Sequence, residues 1–125
     1  SSLHAFGSDE TGQGFADGNI SIGFDVNFSS MDISNGFMNV NDAQSRNWNL
    51  NQVGSATLEN DAFLDMMGSC IGCGGSSAGA YGFIYATFLS PNAEGVLGSF
   101  GAQTGMEEGP EAISGVYVGD RFSYP

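Results

Sequence analysis

The chain contains no lysine, and its basic side chains are two arginines and one histidine against 14 aspartates and glutamates. The formal net charge at pH 7 is therefore -12. Proteins that bind nucleic acids or anionic membranes use lysine and arginine to neutralise phosphate groups. We therefore expect neither nucleic acid nor an anionic membrane among the partners. No apolar run reaches the roughly 20 residues of a membrane-spanning helix, so no membrane insertion is expected.

Helical patterns are also missing from the sequence. No segment keeps apolar residues at the i, i+3, i+4 spacing of an amphipathic helix over three turns. Hydrophobic residues nevertheless make up 41% of the 125 residues, with ten Phe, four Tyr and one Trp. Disordered chains have few aromatic residues, so this composition indicates one folded domain with a core.

The periodicity is that of β-strands. Apolar and polar residues alternate from Asn19 to Phe28, a pattern typical of an antiparallel strand with one buried face. Asn35-Gly36 predicts a hairpin turn, and the glycine-rich residues 68–79 predict a loop. Turns about every ten residues predict an all-β fold, a single antiparallel β-barrel of about eight strands. Three glycines within strands suit the bends at which a small barrel closes: Gly82, Gly98 and Gly115.

The first eighteen residues differ from the rest of the chain. They contain one strand-like piece, Leu3 to Phe6, followed by polar residues and glycines. We expect residues 1–18 to form a first strand or an irregular N-terminal arm, and residues 19–125 to form the barrel domain. The chain begins without Met, and we expect a processed mature chain or an excised domain.

The two cysteines lie three positions apart, as Cys70-Ile71-Gly72-Cys73. This spacing serves a redox pair, half of a zinc site or a local disulfide. A redox site of the thioredoxin type needs a following helix, whereas glycines follow here. A zinc site needs four ligands, and His4 is the one histidine. A structural disulfide between Cys70 and Cys73 is favoured, which indicates an extracellular, cell-surface or periplasmic setting.

Residue types that carry catalysis are scarce. A Ser-His-Asp arrangement would have to use His4, and no lysine can form a Schiff base. We expect no enzymatic activity, no catalytic residues and no cofactor; a barrel that binds haem or another small ligand is a weaker alternative. Glu59, Asp61 and Asp65 are weak candidates for calcium ligands, because Ca²⁺ takes oxygen donors. They lack the spacing of an EF-hand loop, so a solvated acidic surface is favoured.

The stretch from Tyr81 to Leu89 is largely apolar on both faces. One face of a barrel strand normally meets solvent, so this pattern indicates that another molecule or the N-terminal segment covers the outer face. The candidate partner-binding residues are Tyr81, Phe83, Tyr85, Leu3 and Phe6.

The order of features from Gly18 onward resembles a known family. The alternating strand is followed by Arg-Asn-Trp-Asn-Leu at residues 46–50, by the cysteine loop and by Gly-Ala-Tyr-Gly-Phe at residues 79–83. Residues 88–103 are similar to a motif G-P-x-A-x-x-x-G-G-x-F, with Ser90 and Leu97 where glycines are typical. The chain thus resembles the small eight-stranded barrels of transferrin-binding-protein-B-like surface lipoproteins. Similar barrels lie C-terminal to iron-dicitrate-sensor (FecR-type) domains of Gram-negative bacteria.

The resemblance implies a bacterial, extracytoplasmic barrel that acts by binding. It does not imply transferrin as the ligand, because the loops that would select a partner have no counterpart. We therefore predict a binding or adhesion module with a protein partner. The alternative is a structural subunit that self-associates into an extracellular filament or surface layer, with the N-terminal arm completing the sheet of a neighbouring copy.

Overall fold

The computed structural model describes residues 2–57, 59, 61–75, 77–88, 95–105 and 111–120, with backbone alone for residues 2, 3, 75, 77, 78 and 120. The described residues form ten strands and two short turns of 3-10 helix, η1 (Asp17–Asn19) and η2 (Cys73–Gly75). The strands are β1 (Ser2–Asp9), β2 (Gly14–Ala16), β3 (Ile20–Asn27), β4 (Asp32–Asn41), β5 (Asn47–Gln52), β6 (Ala56–Thr57), β7 (Asp61–Ile71), β8 (Ser77–Phe88), β9 (Gly95–Thr104) and β10 (Ala112–Asp120). Within this part of the chain, no helix is long and apolar enough to cross a membrane.

All strands belong to one antiparallel sheet with the order β2-β1-β10-β9-β8-β7-β5-β4-β3, and β6 pairs with β4. The sheet curls into a half-barrel, which confirms the predicted all-β, barrel-like fold. Eight of the strands have six or more residues, whereas β2 has three and β6 has two. The edge strands β2 and β3 are joined by η1, so that one short turn bridges the seam of the curled sheet.

The N-terminal segment is part of the sheet. β1 pairs with β10 along its whole length, from Ser2 opposite Asp120 to Asp9 opposite Ile113. β2 then folds back against residues 6–8 of β1. The sequence left open whether residues 1–18 form a first strand or an irregular arm. In the structure, residues 2–9 form a first strand.

The core fills the concave side of the sheet. Successive side chains of a strand point to opposite faces, so every second residue of each long strand lies inside. The alternation predicted for β3 is confirmed, because Ile20, Ile22, Phe24 and Val26 are all buried. The largest side chains with no more than 2% exposure include Trp48, Tyr117, Phe100, Ile33, Met38, Leu50, Leu64, Met66 and Ile84.

The hairpin turn predicted at Asn35-Gly36 is wrong. β4 continues through both residues, and the turn between β3 and β4 lies at residues 28–31. The two residues instead form a β-bulge opposite Phe24, where the β3–β4 register shifts and Asn35 has a φ of 58°. Asn tolerates this left-handed backbone, and bulges use it as turns do.

The loop predicted for residues 68–79 is shorter than expected. β7 continues to Ile71 and β8 begins at Ser77, which leaves residues 72–76 as the connection. Gly68 is a strand residue opposite Leu50, and a Cβ at this position would lie 2.7 Å from the Cα of Leu50. Glycine here serves close packing of neighbouring strands rather than a loop.

Several strand glycines face aromatic rings on the neighbouring strand. A Cβ added to any of these glycines would come within about 3.1 Å of the opposing ring. The predicted bend positions Gly98 and Gly115 therefore make room for aromatic rings. The pairs are Gly7 with Phe15, Gly23 with Phe37, Gly98 with Tyr117, Gly101 with Phe83, and Gly115 with Phe100.

Candidate functional site

The outer surface of the sheet is divided into an apolar half and an amide half. Outward positions of β4 and β5 carry five asparagines, at residues 39, 41, 47, 49 and 51. Outward positions of β1, β7, β8, β9 and β10 carry large apolar side chains that are 42–66% exposed. We call these eight residues the apolar face: Phe6, Phe63, Met67, Ile71, Tyr81, Leu97, Val116 and Val118.

The apolar face is contiguous across neighbouring strands. One row of register partners runs from Phe6 through Val116, Ser99 and Tyr85 to Phe63. Neighbouring strands lie about 4.8 Å apart, so this row of five residues spans roughly 19 Å. This row links the exposed apolar side chains of β1 and β10 to the aromatic side chains of β8 and β7, with Ser99 of β9 between them.

The predicted partner-binding residues of β8 lie on this outer surface. Tyr81 is 47% exposed, and Phe83 and Tyr85 are half-buried. Phe6 is 66% exposed on β1, and the side chain of Leu3 lies outside the described residues. β1 lies three strands away from β8 in the same sheet, so the expectation that the N-terminal segment covers β8 is wrong for the described residues.

A groove of about 420 Å³ crosses the apolar face over β8, β9 and β10. On one side, the rings of Phe63 and Phe83 stack almost in parallel, with centroids 5.6 Å apart and an interplanar angle of 7°. The ring of Phe83 packs over Gly101, whose missing side chain leaves room for it. Gln103 donates a hydrogen bond from Nε2 to the Oη of Tyr81 at 2.6 Å. The groove is therefore lined by side chains that already hold one another in place.

Carboxylates flank the stacked rings on β7. Asp61 and Asp65 alternate along the strand with Phe63, and all three are exposed. Asp65 is the register partner of Phe83, and Asp61 accepts a 2.6 Å hydrogen bond from the Oη of Tyr85. Asp61 and Asp65 therefore lie beside the stacked rings, next to the groove rather than in its lining. The carboxylate residues in the lining are Asp9 and Glu10, which are bonded within the protein.

The weak calcium candidates Glu59, Asp61 and Asp65 lie on or just before β7. The side chains of Asp61 and Asp65 share one face of β7, about 13 Å apart along the strand. Among the residues that the structure describes, no three His, Cys, Asp or Glu side chains are grouped so that they could hold a metal ion.

A second groove, of about 340 Å³, lies where β1 meets β10 and β9. Phe6, Leu97 and Val116 line it, and His4 stands at its side with Nδ1 3.6 Å from Oδ2 of Asp17. The backbone N–H of Ala5 donates to Asp17 Oδ1 at 2.8 Å, and this hydrogen bond lowers the pKa of Asp17. The Asp17 carboxylate therefore accepts the hydrogen bond of a backbone N–H at the outer edge of β1.

Arg46 organises a polar cluster at one end of the half-barrel that no sequence pattern predicted. Its Nε donates to Asp42 Oδ2 at 2.6 Å, and Nη2 donates to Glu10 Oε1 at 2.8 Å. Nη1 reaches Glu111 Oε2 at 3.4 Å, and the indole N–H of Trp48 donates to Asp42 at 2.9 Å. The hydrogen bond from Arg46 lowers the pKa of Glu10 to about 2, and the bond to Glu10 raises the pKa of Arg46.

This cluster joins loops that are distant in sequence. The Glu111 carboxylate accepts the backbone N–H of Gly74 at 3.0 Å, next to the cysteine pair. Gln44 donates to Asp9 at 3.0 Å, and the hydroxyl of Thr11, which also donates to Asp9, lowers the pKa of that carboxyl far below its usual range. The carboxylates are thus engaged within the protein, and the cluster fixes the loops at this end.

The sulfur atoms of Cys70 and Cys73 lie at disulfide distance, with their Cα atoms 5.5 Å apart. Both residues are completely buried. Thiol–disulfide exchange needs access for an attacking thiolate, so this burial favours a structural role over a redox role.

Comparisons with protein-family models, curated proteins and solved structures found no match. The resemblance to transferrin-binding-protein-B-like and FecR-associated barrels therefore stays a prediction. The fold and the surface define an all-β, barrel-like domain with a contiguous apolar face.

Proposed function

We propose that this chain is an extracytoplasmic protein-binding module that docks its partner through the apolar face. The observation that carries the proposal is the contiguous exposure of large apolar side chains over five neighbouring strands. Surface apolar residues are ordinarily scattered, whereas a contiguous patch is typical of an interaction site. Aromatic residues and Met, which this face contains, are enriched in protein interfaces. The proposed role involves neither catalysis nor a cofactor.

The cysteine pair supports the proposed extracytoplasmic setting. Disulfides persist in oxidising compartments and are rare in the cytosol. The bonding distance between Cys70 and Cys73 supports an outer location, and so does their burial, which protects the bond once it has formed.

Self-assembly into a filament or layer is the second candidate, because an apolar face can also contact a second copy. A donor strand from residues 2–9 is not favoured, since β1 pairs along its whole length with β10 of its own chain. The other edge of β1 is occupied by β2 and by Asp17. Copies that each carry a net charge of -12 also repel one another. These observations favour a different protein as the partner.

Site-specific photo-crosslinking tests the proposed function. A benzoylphenylalanine placed at Leu97, on the apolar face, is compared with one at Asn49, on the amide half. Each chain is irradiated with surface material of the organism that produces it. We expect a covalent adduct with another protein from position 97 and none from position 49. An adduct with twice the mass of the chain would assign the face to self-assembly. Absence of an adduct at position 97, or the same adduct from both positions, would contradict docking through this face.

A further inference from the structure

We propose that the groove beside Phe63 and Phe83 binds an arginine side chain of the partner protein. This inference rests on the proposed function, because it names the chemistry by which the apolar face selects its partner. It depends on three observations, which are the stacked rings, the flanking carboxylates and the charge of the chain.

The rings offer a platform for a planar cation. Phe63 is 56% exposed, and its ring lies parallel to that of Phe83 at the wall of the groove. A guanidinium group stacks on aromatic rings within about 6 Å of their centroids. Phe83 and Tyr81 both line the groove, so the aliphatic stem of an arginine can lie along it between their rings.

Two exposed carboxylates flank the position on Phe63 that such a cation would occupy. Asp61 and Asp65 are two residues before and two residues after Phe63 on the same face of β7, which is about 7 Å in each direction. Arginine donates hydrogen bonds from a planar fork that matches a carboxylate. A guanidinium stacked on Phe63 can therefore pair with an aspartate at its edge.

The described part of the chain supplies no cation of its own to these aspartates. The sequence has no lysine, and the side chain of Arg46 is 5% exposed and bonded to Asp42 and Glu10. A purely apolar partner would take the carboxylates out of water without compensation, which is costly. An ammonium group is more strongly hydrated than a guanidinium and lacks its planar shape, so arginine fits better than lysine.

The test is a nuclear magnetic resonance titration of the ¹⁵N-labelled chain with the peptide acetyl-Gly-Arg-Gly-amide. The control peptide has citrulline in place of arginine, which keeps the planar shape and removes the charge. We expect the arginine peptide to shift the backbone amides around the groove on β7, β8 and β9, and the citrulline peptide to cause no such shift.

Matched variants separate the groove from general charge attraction. Phe63→Ala should lower the affinity for the arginine peptide about fivefold, the size expected for loss of an exposed cation–π contact. Asp65→Asn should lower this affinity about threefold, as expected for loss of an exposed ion pair. Phe37→Ala and Asp32→Asn, at exposed positions of β4, make the same changes elsewhere and should leave the affinity unchanged. The ¹⁵N spectrum of each variant verifies that it is folded.

Three results would overturn the inference. They are the absence of shifts at the groove, equal binding of the citrulline peptide, and an equal loss from Asp32→Asn and Asp65→Asn. The crosslinking at Leu97 does not depend on this groove. A partner adduct at position 97 without arginine binding would contradict the arginine site and still support docking through the apolar face. Failure of both experiments would contradict both proposals.

Discussion

At the scale of single residues, Arg46 holds separate parts of the chain together. It is 4% exposed and bonded to carboxylates from three separate parts of the chain. Burial removes water from a guanidinium, so the hydrogen bonds to Asp42 and Glu10 must compensate for that loss. Asp42 is itself buried and would be left with an unpaired charge if Arg46 were removed.

We expect Arg46→Met to lower the free energy of unfolding by about 3–5 kcal/mol, the usual cost of breaking a buried ion pair. Arg46→Lys should cost less, although one ammonium cannot reproduce the bonds to both Asp42 and Glu10. Urea unfolding followed by the fluorescence of the single Trp48 measures both changes. His4→Gln, at an exposed position, is the control and should stay within about 0.5 kcal/mol. A loss below about 1 kcal/mol for Arg46→Met would contradict the assigned role.

Glu10 makes this cluster sensitive to acid. Its pKa in the folded protein is about 2, below the ordinary value of 4.5, so the unfolded chain binds the proton more readily. The contribution of Glu10 to stability is therefore complete above pH 4.5 and is lost as the pH falls from 4.5 towards 2. Glu10→Gln should remove this contribution, about 1 kcal/mol at pH 7 after solvent screening.

The measurement is urea unfolding of both proteins at pH 7, 4.5 and 3. The stability difference between the native chain and Glu10→Gln should shrink as the pH falls below 4.5. Asp32→Asn serves as the control for the loss of one negative charge. A difference that stays constant or grows between pH 4.5 and pH 3 would refute the assignment.

At the scale of strands, glycine and aromatic residues act as pairs. Gly98 lies opposite Tyr117, whose Oη donates to the carbonyl oxygen of Tyr85 at 2.8 Å. The absent side chain of Gly98 gives the buried ring its space, and burial raises the pKa of the Tyr117 hydroxyl. The same arrangement recurs on the outer face, where Phe83 covers Gly101.

Gly98→Ala should therefore destabilise the fold by about 1–3 kcal/mol, since the added Cβ would collide with the carbonyl oxygen of Tyr85 and lie 2.6 Å from the Tyr117 Oη. Gly79→Ala is the matched control, because this strand glycine has nothing within 4 Å of an added Cβ. It should be neutral or stabilising by about 0.5 kcal/mol. Thermal and urea unfolding of the two variants make the comparison. Equal losses of stability in the two variants would show that the backbone preference of glycine, and not contact with the ring, determines the destabilisation.

The strands themselves were largely predictable, because alternation is a local property of the sequence. β3 and β8 lie close to the apolar segments at residues 19–28 and 81–89. The errors fell at residues 35–36 and 68–79, where glycine was interpreted as a sign of chain reversal. At both places the neighbouring strand determines the conformation, through a bulge at Asn35 and through close contact with Leu50 at Gly68.

At the scale of the whole molecule, charge opposes folding. A net charge of -12 on 125 residues creates repulsion that is greater in the compact state than in the unfolded chain. Salt screens such repulsion over about 10 Å at 0.1 M ionic strength. The buried Arg46 cluster is screened less than exposed charges, so the repulsion should dominate the response to salt.

We expect the unfolding temperature to rise by several degrees between about 10 mM and 300 mM NaCl, since weaker repulsion favours the compact state. Circular dichroism at increasing temperature measures this. CaCl₂ at matched ionic strength should give a similar rise. A much larger rise with calcium would instead show that the chain binds this ion specifically. A fall in the unfolding temperature with NaCl would show that attractive pairs dominate.

Only part of the apolar face could be predicted from the sequence. The two-faced pattern at residues 81–89 indicated outward aromatic side chains on β8, and Tyr81, Phe83 and Tyr85 lie on the outer face. The binding role of these residues and of Phe6 stays a prediction. The sequence did not reveal that Phe63, Leu97 and Val116 belong to the same surface. Their proximity depends on which strands are neighbours and in which register. Local periodicity does not predict the register between strands that are distant in sequence.

The sequence by itself determined the all-β class, the alternation that buries one face, the cysteine pair and the negative net charge. These follow from local spacing and composition, which act before any long-range contact forms. Only the tertiary structure decided that β1 joins β10, that Arg46 unites Asp42, Glu10 and Glu111, and that the stacked rings lie beside Asp65. Each of these joins residues distant in sequence, because strand order and register are set by the packing of the whole sheet.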